Sequence, residues 1–233
     1  MCPSVAKNFG SMLVSARTPS ELVLEACQKL RAGSVIAVPT DTIYGLAALV
    51  QDTSAIELLY SIKGRDPNKP VSICLSRVEE IDTWAKTDSL PPNLLKSVLP
   101  GKVTVVLERK PVLNPMLNPG NPKVGVRVPG SDFLRKVVQE LKEPIALTSA
   151  NRSNEPSCIR PEEFEHIWPD LAAVFTDNSQ EAREELRSGS TVVDLSVPGE
   201  YFVLRPGVCL TAVKEWLHRF GLVEGVYRRV IKQ

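Results

Sequence analysis

Short apolar runs, rich in β-branched residues, recur along this chain, and each stops at a turn of polar residues. Ser34-Val-Ile-Ala-Val38 ends in Pro39-Thr40-Asp41-Thr42, and Gly45 to Val50, Val71 to Leu75, Val103 to Leu107, Val124 to Val128 and Ile145 to Thr148 follow the same form. Runs this short, with little polar alternation, read as strands buried on both faces, and such strands need helices packed over them. Those helices are written between the runs. Thr18 is placed to cap, Pro19 suits the first helical position and Glu21 completes a T-x-x-E capping box. Leu22, Val23, Ala26, Cys27 and Leu30 then form one apolar face, and Gly33 ends the helix. Thr53 to Ile62, closed by Gly64, and the stretch from Ser131 to Leu141, stopped before Pro144, form two more.

Shorter helical stretches are expected at 77–85, 91–98 and 161–168, strands at 172–176, 190–195 and 201–204, and a last helix at 211–220. Strands and helices intersperse without strict β-α alternation, which predicts an α/β domain with a twisted, mixed parallel and antiparallel sheet. No repeat or low-complexity linker divides the chain, so residues 18–210 are expected to form one domain. Residues 1–17 read as a flexible segment of weak transit-peptide character, and 211–233 as a C-terminal helix and tail.

Lys and Arg number 28 against 27 Asp and Glu, so no global field draws the chain to nucleic acid or to an anionic membrane. No apolar run reaches the roughly 18 residues of a membrane span, so no integral membrane segment is expected. The 5 cysteines contain no CxxC and the 2 histidines are far apart, which argues against a disulfide framework and an all-protein zinc site. A reducing compartment follows, the cytoplasm first and the mitochondrion as the alternative. P-loop, dinucleotide-binding and G-x-S-x-G hydrolase motifs are all missing.

Chemistry-bearing side chains collect where the strands stop, the place at which open α/β sheets bind ligands. Lys63 and Arg65 leave the end of a helix, where the macrodipole alone favours cations; the functional alternative is a phosphate clamp. Arg127 interrupts Val124-Gly-Val-Arg-Val128 and needs an anionic partner, either a ligand or a structural carboxylate such as Asp41. Thr148-Ser149-Ala150-Asn151 reads equally as a capped turn or as a ligand loop. Cys74 sits inside an apolar strand and reads as core, and Asp177 to Arg187 as a solvated insertion.

Taken in order, VPTDTIYGLA at 38–47, IKGRDPNKP at 62–70, LPGKVTVVL at 99–107, VGVRVP at 124–129, LTSANRS at 147–153, GSTVVDLS at 189–196 and LRPG at 204–207 resemble the YrdC family of threonylcarbamoyl-adenylate synthases, above all its single-domain animal members. The resemblance spans about residues 15–210. It implies a sheet curled around a positively charged cavity and a nucleotidyltransferase that makes threonylcarbamoyl-AMP and pyrophosphate from L-threonine, bicarbonate or CO2, and ATP. It further implies hand-over of the product to a KEOPS-type transferase complex, which modifies the adenosine beside the anticodon of tRNA.

By the same resemblance Lys63 and Arg65 match a KxR that holds the triphosphate, and Ser149 and Asn151 an SxN that holds the nucleotide; these four are the catalytic set. Ser157 and Arg205 line the ATP site, Thr40, Arg127 and Ser190 hold threonine, and Thr42, Thr104 and Thr148 contribute further lining. Mg2+ arrives on the ATP phosphates, with no protein metal site. Two departures stand out: Cys74 occupies a position where many members carry histidine, and Asn154 replaces a turn glycine. Asparagine tolerates positive φ, so that turn is expected to survive. The rival reading is a non-catalytic module of the same fold that binds double-stranded RNA or tRNA. An inactive paralogue would show a broken KxR or SxN, and both are intact here.

Overall fold

The capping box closes as the sequence predicts: the Thr18 hydroxyl accepts from the Glu21 amide and the Glu21 carboxylate accepts from the Thr18 amide at 2.9 Å. The computed structural model describes residues 13–14, 18–64, 69–176 and 183–226. The expectations for Arg65, for most of 1–17, for 177–182 and for the last seven positions therefore lie outside the described residues.

In chain order the elements are β1 (Leu13–Val14), α1 (Pro19–Arg31), β2 (Ile36–Val38), β3 (Gly45–Leu49), α2 (Thr53–Lys63), β4 (Ser72–Cys74), α3 (Ile81–Trp84) and α4 (Leu94–Val98). Then come β5 (Val103–Glu108), β6 (Lys123–Arg127), α5 (Asp132–Leu141), β7 (Ile145–Ser149), β8 (Ala173–Phe175), β9 (Thr191–Asp194), β10 (Glu200–Arg205), α6 (Leu210–Arg219) and β11 (Val223–Glu224). The sheet is mixed as expected, but it has 11 strands in the order β1-β8-β2-β3-β7-β4-β6-β5-β9-β10-β11. The segments read from the sequence correspond to β2 through β10; β1 and β11 escape that reading because they are 2 residues each, too short to show any periodicity. The helix expected at 161–168 is a 3-10 segment, Pro161–Asp170, with Phe164 out of helical geometry.

Register decides which residues share a face. Ala47 pairs with Leu147 and Leu49 with Ile145, and all four join Ile36, Val38, Cys74, Ala173 and Phe175 beneath α1 and α5. The opposite face carries the larger core, where Leu46, Ala48, Ile73, Val105, Val126 and Val193 meet Ile56 and Leu59 of α2. Beyond β4 the α1/α5 face changes character. Cys74 pairs with Arg127, a Cβ on Gly125 would touch Ser72 and Thr104, and Thr104 bonds Ser190, so glycine, hydroxyls and a guanidinium replace aliphatic side chains.

The segment from α6 to β11 packs into the same core. Val213 and Leu217, one helical turn apart on α6, are buried in the larger core, and β11 pairs in parallel with β10. The buried Tyr201 hydroxyl lies 2.9 Å from His218 Nε2 and 3.4 Å from a Glu224 carboxylate oxygen, tying β10, α6 and β11 together. Leu217→Ala is expected to lower the free energy of unfolding by about 2–5 kcal/mol in urea denaturation, in a single transition; an independent tail would leave the midpoint unmoved.

Candidate functional site

The first cluster gathers where α2 and β7 end. Gly64 adopts a left-handed conformation (φ 56°) that terminates α2. Lys63, almost fully buried, turns its ammonium onto the end of β7, donating to the Ser149 carbonyl at 2.8 Å, to Ser149 Oγ at 3.3 Å and to the Asn151 carbonyl. The Ser153 amide returns a bond to the Lys63 carbonyl at 3.0 Å. Asn151 donates its amide to the carbonyls of Arg152 and Glu155, at 2.7 and 2.9 Å, which leaves its buried Oδ1 without a partner among the described residues. Lys63, Ser149 and Asn151 are thus brought together, with a positive charge under the S-x-N turn. Burial, reinforced by the Lys69 charge, pushes the Lys63 ammonium down to about 8.

The second cluster is built on Arg127. Its Nη2 donates to Asp41 Oδ1 at 2.6 Å and to Thr42 Oγ1 at 2.9 Å, while its buried Nε has no partner among the described residues. The partner that the residue type demanded is therefore Asp41. Thr40 organises the turn rather than pointing a free hydroxyl outward: its Oγ1 donates to the Ile43 carbonyl at 2.7 Å and accepts from the Thr42 amide at 3.0 Å.

A third group joins β5, β9 and β10. Arg205 donates to the Ser190 carbonyl at 2.9 Å and to Ser190 Oγ at 3.0 Å, and Ser190 Oγ lies 2.9 Å from Thr104 Oγ1. Burial lowers the Arg205 pKa, and the nearby Arg127 charge lowers it further. Two guanidinium groups, one of them paired with Asp41, thus lie near a buried polar floor of hydroxyls. The Gly207 of the LRPG string is required here, since a Cβ would lie 2.4 Å from the Ser190 carbonyl carbon and the Thr191 nitrogen.

Thr148 is not brought to this floor. It pairs with Leu46, whose side chain lies in the larger core, so strand alternation sends it to the opposite face from Arg127 and Thr104. Ser157 is held through its backbone carbonyl, away from that floor's hydrogen bonds. Arg187 donates to the Ser157 carbonyl at 2.7 Å and to the Glu163 carboxylate at 2.9 and 3.0 Å, and it also grips Glu184. The end of the stretch read as a solvated insertion is therefore an anchor, one that charge pattern could not reveal because Glu163 is 24 residues away. Asn154 has φ 73°, so the departure from glycine keeps the left-handed turn, and Lys69 bonds its Oδ1 at 2.8 Å. Cys74 is fully buried with its thiol pushed up to about 12 by burial, consistent with core rather than nucleophile.

Residues 28–207 match the model of the Sua5/YciO/YrdC family, described as "Telomere recombination". The chain belongs to that family. The threonylcarbamoyl-AMP synthase of Homo sapiens is 43% identical over 223 residues, 92% of this chain and 79% of the human protein. That of Pyrococcus abyssi is 31% identical over 179 residues, 76% of this chain and 52% of the archaeal one. Among solved structures, P. abyssi Sua5 complexed with L-threonine superposes with a TM-score of 0.76 at 25% identity, covering 92% of this chain and 62% of that one. E. coli YciO, at 22% identity and a TM-score of 0.73, shares the fold. The mixed sheet expected from the sequence is thus the family's sheet.

Three outcomes test this geometry. As pH rises through about 8 the free site loses the Lys63 charge, so affinity for inorganic tripolyphosphate should fall between about pH 7 and pH 9, whereas Lys63→Met should bind weakly and without that dependence. The Lys63 contribution to folding stability, read as the difference between the wild type and Lys63→Met, should rise over the interval from about 8 to 10.5, because only the unfolded chain still holds that proton there. Gly207→Ala should destabilise the chain by about 1–3 kcal/mol in thermal unfolding through displacement of Ser190; an unchanged melting temperature would contradict the close approach.

Proposed function

We propose that this chain is a threonylcarbamoyl-AMP synthase that condenses L-threonine, bicarbonate or CO2, and ATP. The observation that carries the reading is the buried Arg127 guanidinium, beside Arg205 and with its Nε unfilled, in a family member 43% identical to the human threonylcarbamoyl-AMP synthase. In this reading the threonine carboxylate meets Arg127, an anion suited to a planar, permanently charged donor. Ser190 and Thr104 offer hydroxyls to the amino acid from the adjoining strands, and Lys63, Ser149, Asn151 and Arg205 face the nucleotide. Arg65, which follows α2 in the sequence, completes the phosphate clamp.

The reaction balances as two steps. The threonine nitrogen takes up CO2 as a carbamate, with loss of a proton; when bicarbonate is the source, water is released. A carbamate oxygen then bonds to the α-phosphorus as the bond to the pyrophosphate oxygen breaks. Such displacement asks for alignment and charge neutralisation more than for a side-chain nucleophile. Mg2+, carried in by ATP, would neutralise phosphate charge. Delivery of the mixed anhydride to a KEOPS-type transferase for tRNA modification, in the cytoplasm or in mitochondria, belongs to the same proposal.

The family relationship favours this reading over a non-catalytic RNA-binding module. Purified protein given MgATP, bicarbonate and L-threonine should release pyrophosphate only when all are present, and Lys63→Ala should lose at least about a hundredfold in turnover while remaining folded. Threonine-independent release, or none, would reject the synthase; salt-sensitive RNA binding in its place would support the module.

A further inference from the structure

The Arg127 guanidinium could adopt many rotamers from the end of a strand, yet it is held in one. Asp41 does the holding: its Oδ1 takes Arg127 Nη2 at 2.6 Å, and its Oδ2 takes the Gly130 amide at 3.0 Å. The two side chains are only 7% and 11% exposed, so the pair is screened little by solvent. A Cβ on Gly130 would come within 3.0 Å of Asp41 Oδ2, which shows how closely the backbone after β6 is drawn against this carboxylate. Thr42 takes the second contact of Nη2, at 2.9 Å, and both residues come from one short turn whose shape is set by the Thr40 hydroxyl.

The charges complete the picture. Arg127 and Arg205 contribute two positive charges and Asp41 one negative, leaving one positive charge on the floor formed by Thr104 and Ser190. With Nη2 fully engaged, the buried Nε is a donor left over.

We propose that Asp41 is a positioning residue for substrate: the Asp41–Arg127 pair, pinned by the Gly130 amide, aims the unused edge of the guanidinium at the carboxylate of the bound amino acid. This rests on the threonine reading of the site given above. Simple charge accounting predicts the opposite effect, since removing Asp41's charge makes the site more positive and would tighten any carboxylate. Orientation and charge thus give different signs.

The experiment is equilibrium binding of L-threonine and of L-threoninamide, which lacks the carboxylate charge, to the wild type, Asp41→Asn and Arg127→Gln, with MgATP binding and thermal unfolding measured alongside. The wild type should prefer threonine over the amide. Asp41→Asn should weaken threonine by about tenfold or more, the scale of one charge-assisted hydrogen bond, and change the amide and MgATP by less than about twofold. Its threonine-to-amide ratio should move toward that of Arg127→Gln. Asp41→Glu, which keeps the charge on a longer arm, should show the same selective loss and serves in place of Asp41→Asn should that variant not fold. Unchanged or tighter threonine binding in a folded variant would overturn the positioning role, as would equal losses for threonine, amide and MgATP. A wild type that binds threonine and amide alike would instead remove the carboxylate reading itself, and the positioning proposal with it.

Discussion

A guanidinium buried at the end of a central strand has to be neutralised, and much of this structure is arranged around that need. Arg127 stands at the end of β6, paired in register with Cys74 of β4, beside the aliphatic cover of α1 and α5. Removing one partner of such a buried pair leaves an uncompensated charge, at a cost of about 3–5 kcal/mol, so the turn that supplies Asp41 is bound to the strand that supplies Arg127. These residues are 86 positions apart. The pair therefore welds the turn after β2 to the sheet's far half, and Gly130 extends the weld into the segment before α5.

The other strand-end loops are joined in the same way, by side chains reaching backbone carbonyls rather than by apolar packing. Lys63 binds two carbonyls at the end of β7, Arg205 binds that of Ser190, and Arg187 binds that of Ser157. Each of these cations satisfies a backbone acceptor that the sheet ladder cannot reach; Lys63 and Arg205 bring positive charge to their loops, whereas Arg187 is neutralised by Glu163 and Glu184. In the proposed synthase, structural satisfaction and anion binding draw on the same residues. The cost is visible in Lys63, whose ammonium is easier to deprotonate than that of an exposed lysine.

The capping boxes, the terminating glycines and the aliphatic runs were legible because they are local: Thr18 and Glu21 are three residues apart, and Gly64 directly follows the helix it ends. The turn at Asn154 was legible for the same reason, since tolerance of positive φ belongs to the residue itself. The 3-10 geometry of Pro161–Asp170 and the two-residue strands were not, because neither leaves a full period in the sequence. Thr148 shows a different limit. It lies next to Ser149 in a string that reads as one motif, yet strand alternation sends the two side chains to opposite faces. Arg187 looked like one charge among many in a polar loop until the fold placed Glu163 against it.

The sequence alone determined the alternation of strands and helices, the family, and the chemical types gathered at the strand ends, since all of these rest on residue identity and short spacing. Tertiary structure decided who partners whom. Asp41 rather than another acid neutralises Arg127, Ser190 and not Thr148 shares a floor with Thr104, and Gly207 rather than a larger residue lies against Ser190. Such choices depend on sheet order and register, which bring together segments far apart in the chain, in the case of Arg127 and Asp41 86 residues. No local property of either segment encodes that distance, because contact across a sheet is set by how every intervening strand packs.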